Sequence, residues 1–499
     1  MSRAVPLETL WRGAGLDPAG IPVGTEGIPV TGVAYDSRVV GSGDLFVAIQ
    51  GERFDGAAFA MEAQERGAVA IVAQSDAVSG ISGPWIQTTD PREALARLSA
   101  MYHGNPSHEL LVVGTTGTNG KTTTTYLIEG ILEEAGIPCG RVSSVSYRVG
   151  DGEERSAERT TPESSDLQAM LRDMVTNGRQ GCVMEVSSHA LDLHRVDAVR
   201  FAAGIFTNLT RDHLDFHSDM SSYFAAKRKL FAMLDRSSPA VVNVDDQYGK
   251  ILSKEVGRPV TYAIDSPADV RPDRLDLSLD GVELDVRTPR GALHLKSRLP
   301  GRHNAYNVLA AAATGTALSV PFRAIERGLA SVESVPGRME VVSGSDDDVG
   351  VVVDFAHTDD ALKGLLDTAR PLARGRLITV LGCGGDRDRT KRPLMGTVAS
   401  RLSDLVVITS DNPRSEDPAA IASDIEAGVA AGDTPWLTVL DREEAIVRAI
   451  GDARPGDLVV VAGKGHERYQ VVGSRSLPFE DAVVARHALA RRRSSTRVG

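Results

Sequence analysis

Length, composition and charge already exclude several classes of protein. The 499 residues exceed what one hydrophobic core usually serves and predict roughly three domains. A net charge of −12 argues against nucleic acid as a main partner, and three cysteines without a Cys-x-x-Cys pair suit a reduced compartment. No apolar run approaches the length of about 20 residues that spans a bilayer, so we expect a cytoplasmic protein with no membrane insertion.

Glycine and proline interrupt the chain at residues 103–106 and 335–338, as is typical of linkers and turns. The segment before the first interruption holds short β-rich runs at 44–49 and 68–73, separated by a helix-like stretch. This pattern predicts a small α/β domain. The predicted domains are 1–106, 107–335 and 336–499.

The second domain opens with an apolar run at 110–113, a glycine-rich loop at 114–124 and a helix-like stretch at 126–132. Such a loop gathers backbone N–H groups around an anion, so the pattern indicates ATP binding. Thr115 stands where the strict phosphate-loop pattern has glycine, and a turn without phosphate function is the alternative. The candidate nucleotide ligands are Gly117, Thr118, Asn119, Gly120, Lys121, Thr122 and Thr123.

Carboxylate and imidazole groups follow two further strand candidates of this domain, in the stretches 185–191 and 207–217. Mg²⁺ and a nucleotide need such groups near a phosphate loop. A lone histidine in a loop is usually structural, but clustering with the phosphate loop favours a role in catalysis.

The third domain has four β-rich runs that end in polar loops, at 351–357, 377–387, 405–414 and 458–467. Helices fill the gaps, one of them after a possible Asp417 cap. Strands alternating with helices predict a doubly wound, mostly parallel sheet with ligands at the strands' carboxyl ends. The predicted fold class is α/β in three domains: a small N-terminal α/β domain, a central P-loop ATPase-type parallel sheet and a C-terminal Rossmann-like sheet.

Six motifs occur in an order that resembles the Mur ligases, and the similarity extends from Asp36 to Glu467. The motifs are residues 117–123, Thr160-Thr161-Pro162, Glu185-Val186-Ser187-Ser188-His189, Asn208-Leu209 with Asp212-His213-Leu214-Asp215, Tyr223-Phe224-Ala225-Ala226-Lys227, and Gly301-Arg302-His303-Asn304-Ala305-Tyr306-Asn307. The resemblance implies an ATP-driven amide ligase of peptidoglycan precursor synthesis. It would convert the D-glutamate side-chain carboxylate of UDP-N-acetylmuramoyl-L-alanyl-D-glutamate into an acyl phosphate, which an incoming amine attacks.

The same resemblance assigns catalytic roles to Lys121, Glu185, His213 and Lys227. It implies Mg²⁺ ligands at Thr122, Glu185, His213 and Lys227, with a carbamate on Lys227 that replaces a cation by an anion. Without the motif, Lys227 would be interpreted as part of a solvated basic helix face. The implied adenine-side and closing contacts are Asn304, Asn307, Arg338 and Asp354, for which capping and turn chemistry is the alternative.

For the nucleotide-sugar substrate, the resemblance implies contacts from Ser37, Thr160, Thr161, Ser187 and Arg195. Hydroxyls and an arginine suit a polyanionic, hydroxyl-rich ligand. Three positions depart from the family pattern: Arg159 replaces an expected asparagine, and Phe355 and Asp359 replace tyrosine and proline around His357.

The run Asp411-Asn412-Pro413-Arg414 resembles the family motif linked to meso-diaminopimelate rather than L-lysine. Arg414 can meet the extra distal carboxylate of diaminopimelate with two hydrogen bonds, and a surface salt bridge is the alternative for this residue. The other implied contacts to this substrate are Arg387, Asp411, Asn412, Pro413, Gly463 and Glu467.

Three other functions compete with this interpretation. The Asp-Asn-Pro-Arg motif argues against a lysine-adding ligase, and Asp36-Ser37-Arg38 against a folylpolyglutamate synthase. A non-catalytic nucleotide-dependent scaffold would not need metal ligands, so the presence of Lys121, Glu185, His213 and Lys227 together argues against it. The chain is therefore expected to act on small molecules, as a monomer, and its basic tail at 491–493 is interpreted as a solvated helix end.

Overall fold

The computed structural model describes residues 4–51, 54–74, 81–152, 154–212 and 216–496. Its strands are β1 (Val5–Pro6), β2 (Pro29–Val30), β3 (Gly32–Ala34), β4 (Asp44–Val47), β5 (Ala70–Ala73), β6 (Trp85–Gln87), β7 (Leu111–Thr116), β8 (Cys139–Val142), β9 (Ser146–Arg148), β10 (Arg155–Ser156), β11 (Gly181–Glu185), β12 (Ala203–Phe206), β13 (Ala240–Asn243), β14 (Pro259–Tyr262), β15 (Arg271–Ser278), β16 (Gly281–Thr288), β17 (Gly291–Ser297), β18 (Glu340–Val341), β19 (Gly350–Asp354), β20 (Leu377–Leu381), β21 (Leu405–Ile408), β22 (Trp436–Thr438), β23 (Leu458–Ala462), β24 (Tyr469–Val472) and β25 (Arg475–Pro478). Its α-helices are α1 (Leu7–Gly13), α2 (Ala60–Glu65), α3 (Pro91–Tyr102), α4 (Lys121–Glu134), α5 (Ser164–Thr176), α6 (Ser188–Asp192), α7 (Met220–Ala232), α8 (Gln247–Leu252), α9 (Arg302–Ala317), α10 (Phe322–Ser331), α11 (Asp359–Ala369), α12 (Lys391–Leu402), α13 (Pro418–Val429), α14 (Arg442–Gly451) and α15 (Asp481–Thr496).

The chain forms two compact units, residues 1–271 with 310–328 and residues 272–309 with 329–499. In the described part of the chain, no helix combines the length and the apolar character that crossing a membrane requires.

The first unit begins with a small parallel sheet in the order β3-β4-β5-β6. Leu45 and Val72 of this sheet are buried against Leu10 and Leu95 of helices α1 and α3. This is the small α/β arrangement that the sequence predicts for the N-terminal segment.

The same unit contains an eight-stranded sheet in the order β10-β9-β8-β11-β7-β12-β13-β14. The last six strands in this order are parallel to one another. Val112 and Val113 of β7 and Cys182, Val183 and Met184 of β11 are completely buried, as is usual for parallel strands covered on both faces. The register places Glu185 beside Thr115, and Phe206 beside Thr116. The carboxyl ends of β7, β11 and β12 therefore meet at one edge.

The second unit contains a six-stranded sheet in the order β18-β19-β23-β20-β21-β22, parallel except for β18. Helix α13 begins at the predicted cap, because the Asp417 side chain accepts a 3.1 Å hydrogen bond from the Ala419 N–H. The doubly wound sheet predicted for the C-terminal segment is confirmed.

Two structures of this unit were not predicted. Strands β15, β16 and β17 form a sheet of their own, and β24 pairs with β25 in a hairpin. The basic tail is less solvated than expected, because the Arg492 side chain is only 15% exposed and its guanidinium pairs with Asp348.

Candidate active site

The phosphate loop lies between β7 and α4, and two of its glycines have backbone conformations that disfavour other residues. Gly120 precedes the first residue of α4 with φ +84°, and Gly117 has φ +148°. A Cβ atom on Gly117 would lie 1.9 Å from Thr207 Oγ1 and 3.1 Å from the Asn208 nitrogen. The loop is therefore packed directly against the segment that follows β12.

Hydrogen bonds from this segment fix the shape of the loop. The Thr118 N–H donates to the Asn208 carbonyl at 2.9 Å, and the Asn119 N–H donates to Asn208 Oδ1 at 2.9 Å. Thr122 and Thr123 follow in the buried first turn of α4. Asn208 thus engages the N–H groups of Thr118 and Asn119, and anion binding at this loop and helix start stays a prediction.

Two lysines meet at one carbonyl of this loop. Lys121 Nζ donates to the Gly117 carbonyl at 2.9 Å and to the Thr118 carbonyl at 2.8 Å. Lys227 Nζ, from α7, donates to the same Gly117 carbonyl at 2.8 Å, and Lys227 is 1% exposed. Burial, reinforced by the Lys121 charge and opposed by Asp212, places the pKa of Lys227 well below its ordinary value. The surroundings of Lys227 therefore favour its neutral form over the ammonium form.

Glu185 is buried at the end of β11 and is linked to Thr122 through Ser144. The Ser144 N–H and hydroxyl both donate hydrogen bonds to Glu185 Oε1, at 2.8 and 3.2 Å. The hydroxyl oxygens of Ser144 and Thr122 are 3.1 Å apart. The sequence reasoning missed Ser144, although it follows β8 at the same edge of the sheet. The predicted metal ligand His213 lies outside the described residues, among which no group of three or more His, Cys, Asp and Glu side chains could hold a metal ion.

The predicted substrate contacts Thr161, Ser187 and Arg195 lie together beside Glu185. Thr161 Oγ1 donates to the Glu185 carbonyl at 2.9 Å and accepts from the Ser187 N–H at 3.1 Å. Arg195 Nη1 donates to the Thr161 carbonyl at 3.2 Å. Thr160 precedes this group, whereas Ser37 lies in the N-terminal part of the unit, where its hydroxyl donates to Glu62 at 3.0 Å.

An unpredicted carboxylate, Glu163, organises three arginines next to this group. Its side chain is 3% exposed and lies 3.3 Å from Arg92, 3.3 Å from Arg195 and 3.6 Å from Arg159. The departure from the family pattern at Arg159 thus adds a half-exposed guanidinium beside this buried carboxylate. A carboxylate directly after Thr160-Thr161-Pro162 was the available signal for Glu163.

The second unit brings the other predicted contacts together at the ends of β21 and β23. Asn412 Nδ2 donates to Glu467 Oε2 at 2.7 Å, and a Cβ atom on Gly463 would lie 2.7 Å from Asp411 Oδ2. The unpredicted Lys464 is completely buried, and its Nζ donates to Glu467 at 2.8 Å and to Asn412 at 3.1 Å. The Gly-Lys-Gly sequence after an apolar strand was the signal for this lysine.

Arg414 has a left-handed backbone conformation, with φ +51°. Its N–H donates to the Val471 carbonyl at 3.0 Å, its carbonyl accepts from the Gly473 N–H at 2.7 Å, and its Nη1 donates to the Gly385 carbonyl at 2.7 Å. Pro413 is buried, whereas Arg387 is exposed and contacts the Asp386 carbonyl at 3.3 Å.

The remaining predicted nucleotide contacts also lie in the second unit. Asp354 accepts from the Met339 N–H at 2.7 Å and from the Ala356 N–H at 2.8 Å, and burial raises its pKa against the effect of Arg338. The Arg338 guanidinium lies 5.3 Å from the centre of the Phe355 ring. Asn307 Nδ2 donates to Asn304 Oδ1 at 3.0 Å, both residues being buried at the start of α9.

Asp359, one of the departures from the family pattern, lies in the first turn of α11. A carboxylate there interacts favourably with the helix dipole. This replacement is therefore compatible with the local structure, as is Phe355, whose ring packs 5.0 Å from that of His466.

Three family models match the chain in succession. They are "Mur ligase family, catalytic domain" at residues 29–103, "Mur ligase middle domain" at 115–315 and "Mur ligase, glutamate ligase domain" at 337–465. The chain belongs to the Mur ligase family. This membership confirms the resemblance found in the sequence, and with it the three-part α/β fold.

Relatives of this Mur ligase cover almost its whole length. A protein of Gloeobacter violaceus is 47% identical over 493 residues, which cover 98% of this chain and 99% of the relative. One of Geobacter metallireducens is 46% identical and covers 95% of this chain and 96% of its own. Both are named UDP-N-acetylmuramoyl-L-alanyl-D-glutamate--2,6-diaminopimelate ligase.

Solved structures show the same fold. One, of a ligase with that same name, aligns with a TM-score of 0.71 at 31% identity and covers 98% of this chain and 99% of its own. A MurF ligase from Thermotoga maritima in complex with ADP aligns with a TM-score of 0.63 at 19% identity, covering 93% of this chain and 98% of its own.

Proposed function

We propose that this Mur ligase uses ATP to join meso-2,6-diaminopimelate to the D-glutamate side-chain carboxylate of UDP-N-acetylmuramoyl-L-alanyl-D-glutamate. The observation that carries the proposal is the meeting of Lys121 and Lys227 on the Gly117 carbonyl of the phosphate loop. The half-buried amine of Lys121 and the buried amine of Lys227, at the same sheet edge as the buried Glu185, suit a reaction between a carboxylate and a phosphate. The names of the relatives support the identity of the two substrates.

The chemistry follows from the need to make a carboxylate an acyl donor. The D-glutamate carboxylate oxygen bonds to the γ-phosphorus, the bond to the β-phosphate oxygen breaks, and ADP leaves. The diaminopimelate amine then bonds to the acyl carbon, loses a proton, and phosphate leaves. Lys121 and the N-terminus of α4 would offset the negative charge of the two anions, and we assign the orientation of the carboxylate substrate to Thr161, Ser187 and Arg195, which are hydrogen-bonded to one another.

The residues near the loop fit Mg²⁺ if Lys227 is carbamylated. Thr122 and Glu185, joined through Ser144, offer oxygen ligands, and Lys227 and His213 complete the proposed set. A neutral Lys227 amine bonds to the carbon of CO₂ and releases one proton, which yields an anionic carbamate. The carbamate would place an anion beside the Lys121 amine, where a second ammonium group would be repelled. Mg²⁺, when bound, neutralises charge between the carboxylate and the phosphates.

In the second unit, we propose that Asp411, Asn412, Arg414 and Glu467 bind diaminopimelate, with Gly463, Pro413 and Arg387 beside them. Arg414 would pair with the distal carboxylate, and Glu467 with the distal ammonium. Asn304, Asn307, Arg338 and Asp354 are proposed as the adenine-side and closing contacts to ATP, and Ser37 and Thr160 as further contacts to the nucleotide sugar.

We further propose that the domains are 1–106, 107–335 and 336–499, and that the enzyme is a cytoplasmic monomer. One family model falls within each of these three segments, which supports the division.

Phosphate release tests the proposed function. The purified protein is supplied with ATP, Mg²⁺ and UDP-N-acetylmuramoyl-L-alanyl-D-glutamate, and meso-diaminopimelate is compared with L-lysine. Turnover with diaminopimelate alone is expected. Turnover with lysine would contradict the assignment of Arg414 to the distal carboxylate. No phosphate release with either amino acid would contradict the proposed ligase activity.

A further inference from the structure

Two loops of the second unit are pressed together at the proposed diaminopimelate site. We name residues 384–389 the glycine loop and residues 411–414 the acceptor loop. The Gly385 N–H donates to the Asn412 carbonyl at 2.9 Å, and the Gly385 carbonyl accepts from Arg414 Nη1 at 2.7 Å. A Cβ atom on Gly385 would lie 1.9 Å from the Pro413 carbonyl oxygen. The position of Arg414 therefore depends on where the glycine loop lies.

Each loop contains a residue other than glycine with positive φ, Asp386 at +54° and Arg414 at +51°. Such a conformation has an energetic cost and persists only where the surroundings enforce it. Glu416 is part of these surroundings, because its Oε1 accepts from the Asp386 N–H at 2.6 Å and its own N–H donates to the Pro413 carbonyl at 3.0 Å.

Arg392 holds Glu416 in place. This arginine of α12 is 1% exposed, and its two terminal nitrogens lie 2.9 and 3.1 Å from the Glu416 oxygens. The same guanidinium contacts the Gly384 carbonyl at 3.3 Å. The pair thus contacts both loops at once, through charge-assisted hydrogen bonds in a largely buried position.

We propose that Glu416 and Arg392 are positioning residues for the amino-acid substrate: they hold the glycine loop against the acceptor loop so that Arg414 presents its guanidinium to the substrate's distal carboxylate. The inference rests on the proposed function for the identity of that substrate. Its geometric part, the fixing of two loops by one ion pair, is independent of it.

The structure offers a matched control. Arg392 has a second carboxylate partner, Asp424 of α13, at 2.9 Å, and Asp424 lies outside both loops. Glu416→Gln and Asp424→Asn each neutralise one carboxylate partner of the Arg392 guanidinium with little change in side-chain shape. A purely structural role of Arg392 predicts similar consequences for both variants, whereas a positioning role singles out Glu416→Gln.

Steady-state kinetics of the two variants measure the difference. Glu416→Gln is expected to raise the KM for diaminopimelate about tenfold, the equivalent of one lost charge-assisted hydrogen bond. Its kcat and its KM for ATP should stay within about twofold of wild type, as should all constants of Asp424→Asn. Equal KM changes in both variants, or a parallel rise for all substrates, would overturn the inference. Arg392→Lys, which keeps the charge but loses the paired contact, should lie between wild type and Glu416→Gln.

Amide hydrogen exchange tests the geometric part without turnover. Peptides covering residues 384–389 and 411–416 should exchange faster in Glu416→Gln and at the wild-type rate in Asp424→Asn. Unchanged exchange in Glu416→Gln would overturn the inference, whatever the substrate. Faster exchange in a protein that lacks diaminopimelate-dependent turnover would reject the proposed function and retain the positioning of the loops.

Discussion

At the scale of single residues, Lys227 shows most clearly how the environment changes chemistry. A lysine in water is a cation with a pKa of about 10.4. Here burial and the neighbouring Lys121 favour the neutral amine, which is the form that reacts with CO₂. The sequence alone predicts a solvated base at this position unless the family motif is taken into account.

Lys227→Ala should abolish phosphate release, because the proposed anionic ligand is lost, and a short carboxylic acid such as acetate should restore part of it. Lys229→Ala is the matched control. Lys229 lies on the same helix α7 as Lys227, but its side chain is 48% exposed and pairs with Asp192 of α6. Full activity of Lys227→Ala would show that the carbamate assignment is wrong.

Arg414→Ala should raise the KM for diaminopimelate by about tenfold or more, because the distal carboxylate would lose a two-pronged ion pair. The KM for ATP should not change. The measurement is steady-state phosphate release with each substrate varied in turn, with Arg448→Ala, 54% exposed on α14, as a control. Equal effects on both KM values would contradict the proposed contact.

His194 should make stability depend on pH. Its ring lies between Asp197 and Asp90, and the hydrogen bond with Asp197 is the main reason that its pKa is raised. A raised pKa means that the stabilisation is complete below the unfolded value of about 6.5 and is lost as pH rises through the folded value. The difference in Tm between wild type and His194→Gln should therefore be largest in mild acid and shrink towards pH 8.5. A difference that is constant with pH would count against this prediction.

At the scale of secondary-structure elements, the sequence predicts the strands well and the side-chain contacts poorly. Apolar runs such as Val112-Val113 and Cys182-Val183 identify buried parallel strands, and strand order then brings their polar ends together. Ser144, by contrast, contacts Glu185 across 41 residues, and Lys464 contacts Asn412 across 52. No local pattern encodes such pairs, because they depend on how strands and loops pack in three dimensions. The β24–β25 hairpin lacked a clear strand signal because each of its strands has only four residues and mixes polar with apolar side chains.

Gly117→Ala should eliminate ATP binding, because the new Cβ would overlap Thr207 Oγ1 and push the phosphate loop off the segment after β12. Gly136→Ala is the matched control, with φ +76° but no atom within 4 Å of the added Cβ. Titration with a fluorescent ATP analogue should give wild-type affinity for Gly136→Ala alone. Retained affinity in Gly117→Ala would mean that the loop can relax.

At the scale of the whole molecule, the three cysteines report on unfolding. Cys139 and Cys182 are completely buried in the first unit and Cys383 is 3% exposed in the second. Burial raises the pKa of Cys182 and of Cys383 to about 12, so reactive thiolate is scarce in the folded state.

A thiol reagent such as DTNB should therefore leave the native protein unmodified and react with all three thiols in urea at the rate of unfolding. If the two units open separately, Cys383 will react in a phase distinct from that of Cys139 and Cys182. Rapid modification of the native protein would contradict the buried positions.

The backbone of Arg414 implies a trade-off between durability and selectivity. A left-handed conformation costs an arginine about 1 kcal/mol relative to glycine, and the bonds to Val471 and Gly473 use only main-chain atoms. Glycine at this position would relieve the backbone cost and keep the main-chain bonds to the hairpin, but it would remove the hydrogen bond from Arg414 Nη1 to the Gly385 carbonyl. Heat resistance gained by glycine here would therefore require a substitute for that bond, and it would remove the guanidinium on which the proposed choice of substrate depends.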